Sequence, residues 1–267
     1  MTSLPQVPET CASTNSATWA PLGGANLAFP RLTARVAALP LTAKPFIPAG
    51  VNNGQISMTN TLYKGDLPSG LSFGSSVAID TESMGLDPKR DRLCLVQLSS
   101  GDGNAHLVQL LPGQYQAPNL RKLLTDPKVL KLFHFARADL ATLKYYFGVM
   151  PEPVYCTKIA SVLARTFSDR HSLKDLTRDL LSIDLSKEQQ TSDWGAETLS
   201  EDQLKYAASD VLYLHKLKAK LDEMLTREGR AKLAQGFFDC LPYRAEADLA
   251  GWANVDIFAH RPVAKSG

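Results

Sequence analysis

Hydrophobic and polar positions follow two different periods along residues 75–238. Short apolar runs rich in β-branched residues predict buried strands, whereas apolar side chains three and four positions apart predict helices. We expect strands near 75–82, 92–99, 105–110, 129–135 and 153–156. We expect helices near 118–125, 138–147, 156–166, 172–181, 200–225 and 227–238. Three early strands precede the first crossover, which predicts an α/β fold with a mixed sheet flanked by helices.

Five polar side chains stand where this pattern favours apolar or neutral residues. Asp80 and Glu82 are two apart in the strand run VAIDTE, so both point to the same face of the sheet. Asp139 falls in the first turn of a predicted helix, where free backbone N–H groups favour negative charge. Tyr206 and Asp210 are four apart on a late helix and share one face. Acids in such places need a partner that neutralises them.

A divalent metal is the simplest such partner. Neighbouring carboxylates destabilise each other unless a cation neutralises them or one of them takes a proton. Each acid also has a plainer interpretation, because DxE is common on strands, Asp139 could be a helix N-terminal acid and Asp210 a solvated helix charge. The order of the three motifs along the chain, with their flanking elements, favours the metal site.

These residues resemble the three exonuclease motifs of the DEDD superfamily, tyrosine subtype, whose best known member is ribonuclease D. Further runs resemble the compact bacterial nano-RNase C group: DRLCLVQLSSGDG from Asp91, VYCTKIASVL from Val154, DRHSLKDL from Asp169, SKEQQTSDW from Ser186 and GWANVDIFAH from Gly251. The resemblance covers roughly residues 58–260. It implies a ribonuclease H-like (DnaQ-like exonuclease) fold in a single domain.

The resemblance also implies two divalent cations, Mg²⁺ or Mn²⁺, as cofactors of a phosphodiester hydrolase. Asp80 would bridge both ions, Glu82 and Asp210 would share one, and Asp139 would hold the second largely through water. The residues themselves agree with this choice of metal, since carboxylate oxygens suit Mg²⁺ or Mn²⁺ and zinc would favour histidine or cysteine.

Tyr206 would orient the attacking water in this family. A phenol with an ordinary pKa of about 10 is a poor base, so we assign it positioning rather than proton abstraction. The other DEDD subtype has a histidine five residues before the last acid, where this chain has Lys205. We expect core or surface roles for His106, His215 and His260, and the role of His171 stays open.

Seven residues are candidates for substrate contacts. Met84 and Leu86 follow the DxE motif, and in related dinucleotide-cleaving enzymes a leucine here wedges between two bases, although Leu86 could simply pack. His134 precedes Asp139 and could touch a substrate phosphate. The run SKEQQTSDW reads as a loop with groups for phosphate or base contacts. Those groups are Lys187, Gln190, Ser192 and Trp194.

Charge and length favour a small substrate. The chain has 29 basic and 27 acidic side chains, but residues 58–267 hold equal numbers of each. Long nucleic acids are usually bound by a basic surface, so this balance favours a substrate with few phosphates. Ribonuclease D proper carries helical accessory domains after the nuclease, and too few residues follow the Tyr206 helix to build them.

The predicted function is therefore metal-dependent 3′-to-5′ hydrolysis of short oligoribonucleotides, chiefly diribonucleotides, to nucleoside 5′-monophosphates at the end of RNA degradation. One alternative is a broader exonuclease that trims RNA 3′ ends or degrades DNA. Another is a catalytically silent nucleic-acid-binding protein. The resemblance implies a homo-oligomer, a ring-like octamer with its active sites facing a central channel.

Composition sets the domain boundaries and the compartment. Residues 1–57 are rich in proline and poor in charge, which predicts a disordered or non-native leader before the exonuclease domain at 58–260 and a tail at 261–267. We expect Trp252 and Phe258 to serve as core or subunit anchors. Four separated cysteines without a CxxC pair predict a reducing cytoplasm. No apolar run approaches the length of a membrane span.

Overall fold

The computed structural model describes residues 59–186, 189 and 192–260. Its strands are β1 (Asn60–Lys64), β2 (Ser76–Ser83), β3 (Leu93–Ser99), β4 (Ala105–Gln109), β5 (Leu130–Phe133) and β6 (Val154–Cys156). Its helices are α1 (Pro118–Thr125), α2 (Arg137–Phe147), α3 (Thr157–Ala164), α4 (Leu173–Leu181), α5 (Glu201–Leu212), α6 (Leu214–Arg227) and α7 (Ala231–Ala247). A short π-type turn, Asp248–Trp252, follows α7. The predicted leader and tail lie outside the described residues.

The strands form one mixed sheet in the order β1-β4-β3-β2-β5-β6. Strand β3 runs antiparallel to β2 and β4, whereas β1 with β4, β2 with β5, and β5 with β6 are parallel pairs. Every residue of β3 is buried, the pattern of a strand covered on both faces. Strand β2 lies inside the sheet, between β3 and β5. The predicted mixed sheet with flanking helices is confirmed.

Strand β1 is absent from the predicted strands. It pairs with β4 from Asn60 opposite Ala105 to Lys64 opposite Gln109, at an edge of the sheet. Among its five residues only Leu62 and Tyr63 are apolar, so no alternation of period two can be recognised. Its position depends on a partner 45 residues away rather than on a local pattern.

Two helix boundaries also differ from the prediction. The helix expected over 200–225 is broken at Tyr213, which takes φ −106° and ψ −6° between α5 and α6. The last helix begins and ends later than expected, because Gly229 with φ 67° separates it from α6. Pro242 lies inside α7, although proline disfavours a helix interior. Tertiary contacts outweigh local propensity in this part of the chain.

The C-terminal aromatic residues are not core anchors. Trp252 is 53% exposed and Phe258 is 82% exposed in the single chain, which excludes the first of the two predicted roles, core or subunit contact. Their predicted part in subunit contacts stays a prediction. Among the described residues, every helix falls short of the combined length and apolar character that a bilayer crossing requires.

Candidate active site

Strand β2 and helix α5 bring three carboxylates together. Asp80 lies opposite Gln97 of β3, and the register shifts at a bulge directly after Glu82. Helix α5 packs against β2, β3 and β4, and its residue Asp210 faces the two acids of β2. One ligand oxygen from each of Asp80, Glu82 and Asp210 lies within 4.8 Å of the other two. This spacing allows a single ion to contact all three side chains.

Asp139 is the fourth carboxylate of the cluster. It lies in the first turn of α2 and is 7% exposed. Thr81, which stands between the two acids of β2, donates a hydrogen bond from Oγ1 to Asp139 Oδ1 at 2.6 Å. The charge of Asp139 also contributes to the raised pKa values of both Asp80 and Glu82.

The four carboxylates are costly to ionise together. Burial is the main cause of raised pKa values at all four, and mutual repulsion adds to it at Asp80, Glu82 and Asp210. The pKa of Glu82 rises to about 9, those of Asp139 and Asp210 rise to about 7, and that of Asp80 rises well above its ordinary value. A bound cation would remove this penalty. An all-oxygen donor set fits Mg²⁺ or Mn²⁺.

Local contacts fix the start of the helix that carries Tyr206 and Asp210. Ser200 caps α5 by accepting from Gln203 N at 3.2 Å, and Gln203 Oε1 accepts from Ser200 N at 2.9 Å. This capping box confirms the predicted helix start. Burial and then the charge of Asp210 raise the pKa of Tyr206 above its ordinary value. The phenol therefore stays neutral beside Asp210, with a hydroxyl able to donate and accept.

Trp194 lies behind Tyr206 rather than on the surface. Its side chain is buried, and the two ring centroids are 6.1 Å apart. The surrounding segment is held by Gln203 Nε2, which donates to Ser192 Oγ at 3.2 Å, and by Arg92 Nη2, which donates to Gly195 O at 2.8 Å. Substrate contacts of Ser192 and Trp194 stay predictions.

Two other predicted contacts of that run, Lys187 and Gln190, lie outside the described residues.

A folded turn after β2 holds Leu86 in solvent. Leu86 is 96% exposed, and Met84 beside it is also exposed. A Cβ at Gly85 would lie 2.2 Å from Asp91 Oδ2, so a larger residue here would displace that carboxylate. Asp91 also accepts from Asp87 N at 3.0 Å and so closes the turn. Leu86 therefore does not pack inside the single chain, and its role as a wedge stays a prediction.

His134 is held by a hydroxyl at the start of α3. Its Nδ1 lies 2.9 Å from Thr157 Oγ1, and that hydroxyl donates to Phe133 O at 3.2 Å. Since the hydroxyl proton is used, we infer that Nδ1 carries the imidazole proton. Burial and then the charge of Lys158 lower the pKa of His134 to about 3, so the ring is neutral. Its contact with substrate phosphate stays a prediction.

The structure adds two residues that the sequence analysis missed. Thr81 orients Asp139, as described above. Gln97 is fully buried on β3 and donates from Nε2 to Asp80 Oδ2 at 3.4 Å. A signal for Gln97 existed, because it is a polar residue inside the apolar run LCLVQLS. No comparable signal marks Thr81, since threonine is common in strands.

Comparisons with known proteins agree with this geometry. Residues 63–226 match the family described as 3′-5′ exonuclease. Ribonuclease D of Gluconacetobacter diazotrophicus is 41% identical over 154 residues, which cover 58% of this chain and 39% of that protein. The chain spans less than half the length of the ribonuclease D relatives it matches.

Solved structures of NrnC from Brucella melitensis match over their whole length. The structure with bound pGG is 56% identical with a TM-score of 0.75, covering 77% of this chain and 100% of that one. The structure with bound Mg²⁺ is 55% identical with a TM-score of 0.74, covering 76% of this chain and 100% of that one.

Proposed function

This chain belongs to the 3′-5′ exonuclease family, and we propose that it is a metal-dependent exoribonuclease that hydrolyses short oligoribonucleotides, chiefly diribonucleotides, to nucleoside 5′-monophosphates. The observation that carries this proposal is the set of oxygens from Asp80, Glu82 and Asp210 within 4.8 Å of one another. Asp139 and Tyr206 complete the set. A silent binding protein would have no need to keep so many buried acids close together, since their repulsion costs stability.

The acidic cluster is suited to holding two divalent ions, Mg²⁺ or Mn²⁺. When bound, they would stabilise charge on the pentavalent phosphorus and make a water nucleophilic at neutral pH. Thr81 donates a hydrogen bond to one oxygen of Asp139, and Gln97 donates one to an oxygen of Asp80. The protein thereby sets the orientation of its ligands before any ion arrives.

Tyr206 would act on the attacking water by orientation alone. Its pKa is raised by burial and by Asp210, so it cannot serve as a base near neutral pH. Its hydroxyl can accept from or donate to a water placed beside the cluster. The water oxygen attacks the phosphorus, and the 3′-oxygen of the preceding nucleotide leaves with a proton.

Short RNA is the favoured substrate for three reasons. Residues 58–267 carry no net surplus of basic groups, so affinity for a long polyanion is expected to be low. Leu86 projects into solvent close to the DxE strand, where it could meet a base. The matching NrnC structure holds pGG, a short nucleotide.

Two further properties belong to the same proposal. The exposed Trp252 and Phe258 support a homo-oligomer, and an octamer is the size the resemblance implies. The buried free thiols of Cys94 and Cys156 support a reducing compartment, the cytoplasm.

A time course on 5′-labelled RNAs of two to about twenty nucleotides tests this function, with Mg²⁺, Mn²⁺ or a chelator, and with DNA of the same lengths. We expect metal-dependent cleavage in which dimers disappear far faster than longer chains. Equal rates at all lengths, or equal rates on DNA, would establish a general 3′-5′ exonuclease. Absence of metal-dependent cleavage at every length would refute the enzyme and favour a binding protein.

A further inference from the structure

The helix that carries Asp139 begins without a cap of its own. Its N-cap residue, Ala136, has no side chain that can accept a hydrogen bond from the first turn. Phe135, one residue earlier, takes φ 63°, a left-handed conformation that residues other than glycine, asparagine and aspartate rarely adopt. Arg137 then places a positive charge in the first turn of α2, where the helix dipole disfavours a cation. Three local features therefore oppose the start of α2.

A distant part of the chain supplies the missing contacts. Arg137 donates from Nε and Nη2 to the two carboxylate oxygens of Asp248, and Nη2 also donates to Ala253 O at 2.6 Å. A double bond of this kind between a guanidinium and a carboxylate fixes orientation as well as distance. The side chain of Asp248 is only 13% exposed, so solvent screens this ion pair less than one on the open surface. The pair fixes the first turn of α2 to a residue that lies 111 positions later.

A second helix supports the same ion pair. Arg244 of α7 lies 3.2 Å from Asp248 Oδ1 through its Nη2, which also donates to Ala253 O at 3.0 Å. Two guanidinium groups thus share one carboxylate and one backbone carbonyl. Asp248 cannot turn toward solvent without losing both of them. The C-terminal segment, residues 248–260, is therefore bound to α2 at the end of the helix where Asp139 lies.

The position of Asp139 depends on where this turn lies. Asp139 stands two residues after Arg137 in the same turn of α2, so a shift of the helix start moves both residues. The bond from Thr81 Oγ1, at 2.6 Å, orients the carboxylate from the side of β2, whereas the ion pair of Arg137 fixes the backbone that carries it. A misplacement of about 1 Å can cost about 100-fold in rate. An ion pair at the start of α2 can therefore control a proposed metal ligand that it does not touch.

We propose that Arg137 is a positioning residue for Asp139, and that its ion pair with Asp248 makes the C-terminal segment a required part of the proposed metal site. The inference rests on the proposed function, since it concerns the fourth carboxylate of the same site. Arg137 contacts neither a cation nor the substrate in this role, and acts by holding the turn that carries Asp139. It also joins catalysis to the proposed contact between copies, because the exposed rings of Trp252 and Phe258 lie on the same segment.

Calorimetric titration of Mn²⁺ into the metal-free full chain, without substrate, tests the positioning role. We expect Arg137→Met and Asp248→Asn each to raise the Kd of Mn²⁺ by about 10-fold or more, the lower end of the loss when a residue that supports a metal ligand is removed. Lys144→Met is the matched control, since Lys144 lies 3.8 Å from Glu246 and joins the other end of α2 to α7. Its Kd should stay within about twofold of wild type. A change of less than about twofold for either Arg137→Met or Asp248→Asn refutes the proposal.

A double-mutant cycle with Asp139 shows whether Arg137 acts through that carboxylate. In a chain that already carries Asp139→Asn, the further change Arg137→Met should alter the Kd of Mn²⁺ by less than about twofold, because the ligand that Arg137 positions is already lost. The carboxylates of Asp80, Glu82 and Asp210 remain to bind the ion in both chains. An equally large loss of affinity in this background would mean that Arg137 serves the fold as a whole, and would contradict the positioning role.

Hydrolysis of a 5′-phosphorylated diribonucleotide separates positioning from direct contact with the substrate. Positioning predicts that Asp248→Asn lowers kcat about 10- to 100-fold and raises the Mg²⁺ concentration for half-maximal rate, with KM within about twofold of wild type. Direct binding of a substrate phosphate by Arg137 predicts a different result, since loss of the competing carboxylate would free the guanidinium and lower KM. A lower KM with an unchanged kcat would therefore overturn the proposal.

Failure of the positioning role can be told apart from failure of the proposed function. If wild type hydrolyses diribonucleotides and the variants bind Mn²⁺ like wild type, only the positioning role is wrong. If wild type binds Mn²⁺ but hydrolyses no diribonucleotide, the proposed function is wrong, and the Kd values of Mn²⁺ still decide the role of Arg137. If wild type binds no Mn²⁺, both are wrong.

Discussion

The acidic cluster and the C-terminal segment 248–260 are both unfavourable in the isolated chain, for opposite reasons. The cluster buries like charges that repel one another. The C-terminal segment instead exposes apolar rings to water, with Phe258 82% exposed. Arg137 and Arg244 hold that segment through Asp248 and backbone carbonyls, so it is ordered without being buried. In the proposed function, cations would complete the first region and the apolar surface of another copy would complete the second.

Removing one acid of the cluster should have the largest effect on turnover. It tests whether the cluster serves catalysis rather than stability. We expect Asp80→Asn to lower turnover by at least about 1,000-fold, because the proposed metal site loses one of its carboxylate ligands. The metal-free melting temperature should equal or exceed that of wild type, because the amide removes one repelling charge. Rates with Mg²⁺ and thermal unfolding with a chelator measure both effects.

Asp202→Asn is the matched control for that variant, since Asp202 is an exposed acid on the first turn of α5. Its turnover should stay within about twofold of wild type. An Asp80→Asn protein that keeps its turnover, or one that unfolds at much lower temperature than the control, would show that Asp80 serves the fold instead.

The stability of the metal-free protein should fall as pH rises, the next largest effect. A carboxyl group with a raised folded pKa holds a proton that the unfolded chain has already released, so its stabilising contribution is lost with increasing pH. The pH range over which stability is lost begins near the pKa of these carboxyl groups in the unfolded chain, about 4. It extends to about 7 for Asp139 and Asp210 and to about 9 for Glu82.

Added Mg²⁺ should therefore raise the melting temperature more at pH about 8.5 than at pH about 6. Thermal unfolding with and without Mg²⁺ across this range measures the difference. Asp210→Asn should reduce this difference between the two pH values, because one ionisable carboxylate of the cluster is missing. An equal Mg²⁺ effect at both pH values, or a larger one at low pH, would mean that the cluster is not the metal site.

Loss of the Thr81 hydroxyl should have an intermediate effect. Thr81→Val keeps the shape of the side chain but removes the donor to Asp139 Oδ1. A hydrogen bond to a charged group is worth about 1.5 to 3 kcal/mol, so we expect kcat to fall about 10- to 100-fold. The Mg²⁺ concentration for half-maximal rate should rise as well, because Asp139 is no longer oriented. Thr81→Ser should restore both values, and a Ser variant as impaired as the Val variant would assign Thr81 to packing alone.

Much of the cluster could be predicted from sequence because its signals are local. The two-residue period of a strand placed Asp80 and Glu82 on one face of the sheet. The capping box formed by Ser200 and Gln203 marked the start of α5. By contrast, the bond from Thr81 joins residues 58 positions apart, and that from Arg137 to Asp248 joins residues 111 apart. No local pattern encodes such contacts. The exposure of Trp252 was likewise not predictable, since tryptophan is highly buried on average.

Changes in the C-terminal segment should have the smallest effect on the stability of the single chain. They test whether the exposed rings of this segment serve contacts between copies. Trp252 and Phe258 are exposed, so the double change Trp252→Ser with Phe258→Ser should alter the unfolding free energy of the monomer by less than about 0.5 kcal/mol. The mass in solution should fall toward that of one chain, because the apolar contact between copies is lost. Light scattering after size-exclusion chromatography measures the mass, and Phe167→Ser, at another exposed ring, is the control. An unchanged mass together with lower stability would instead show that these rings serve the single chain, which would remove the contrast between the two regions.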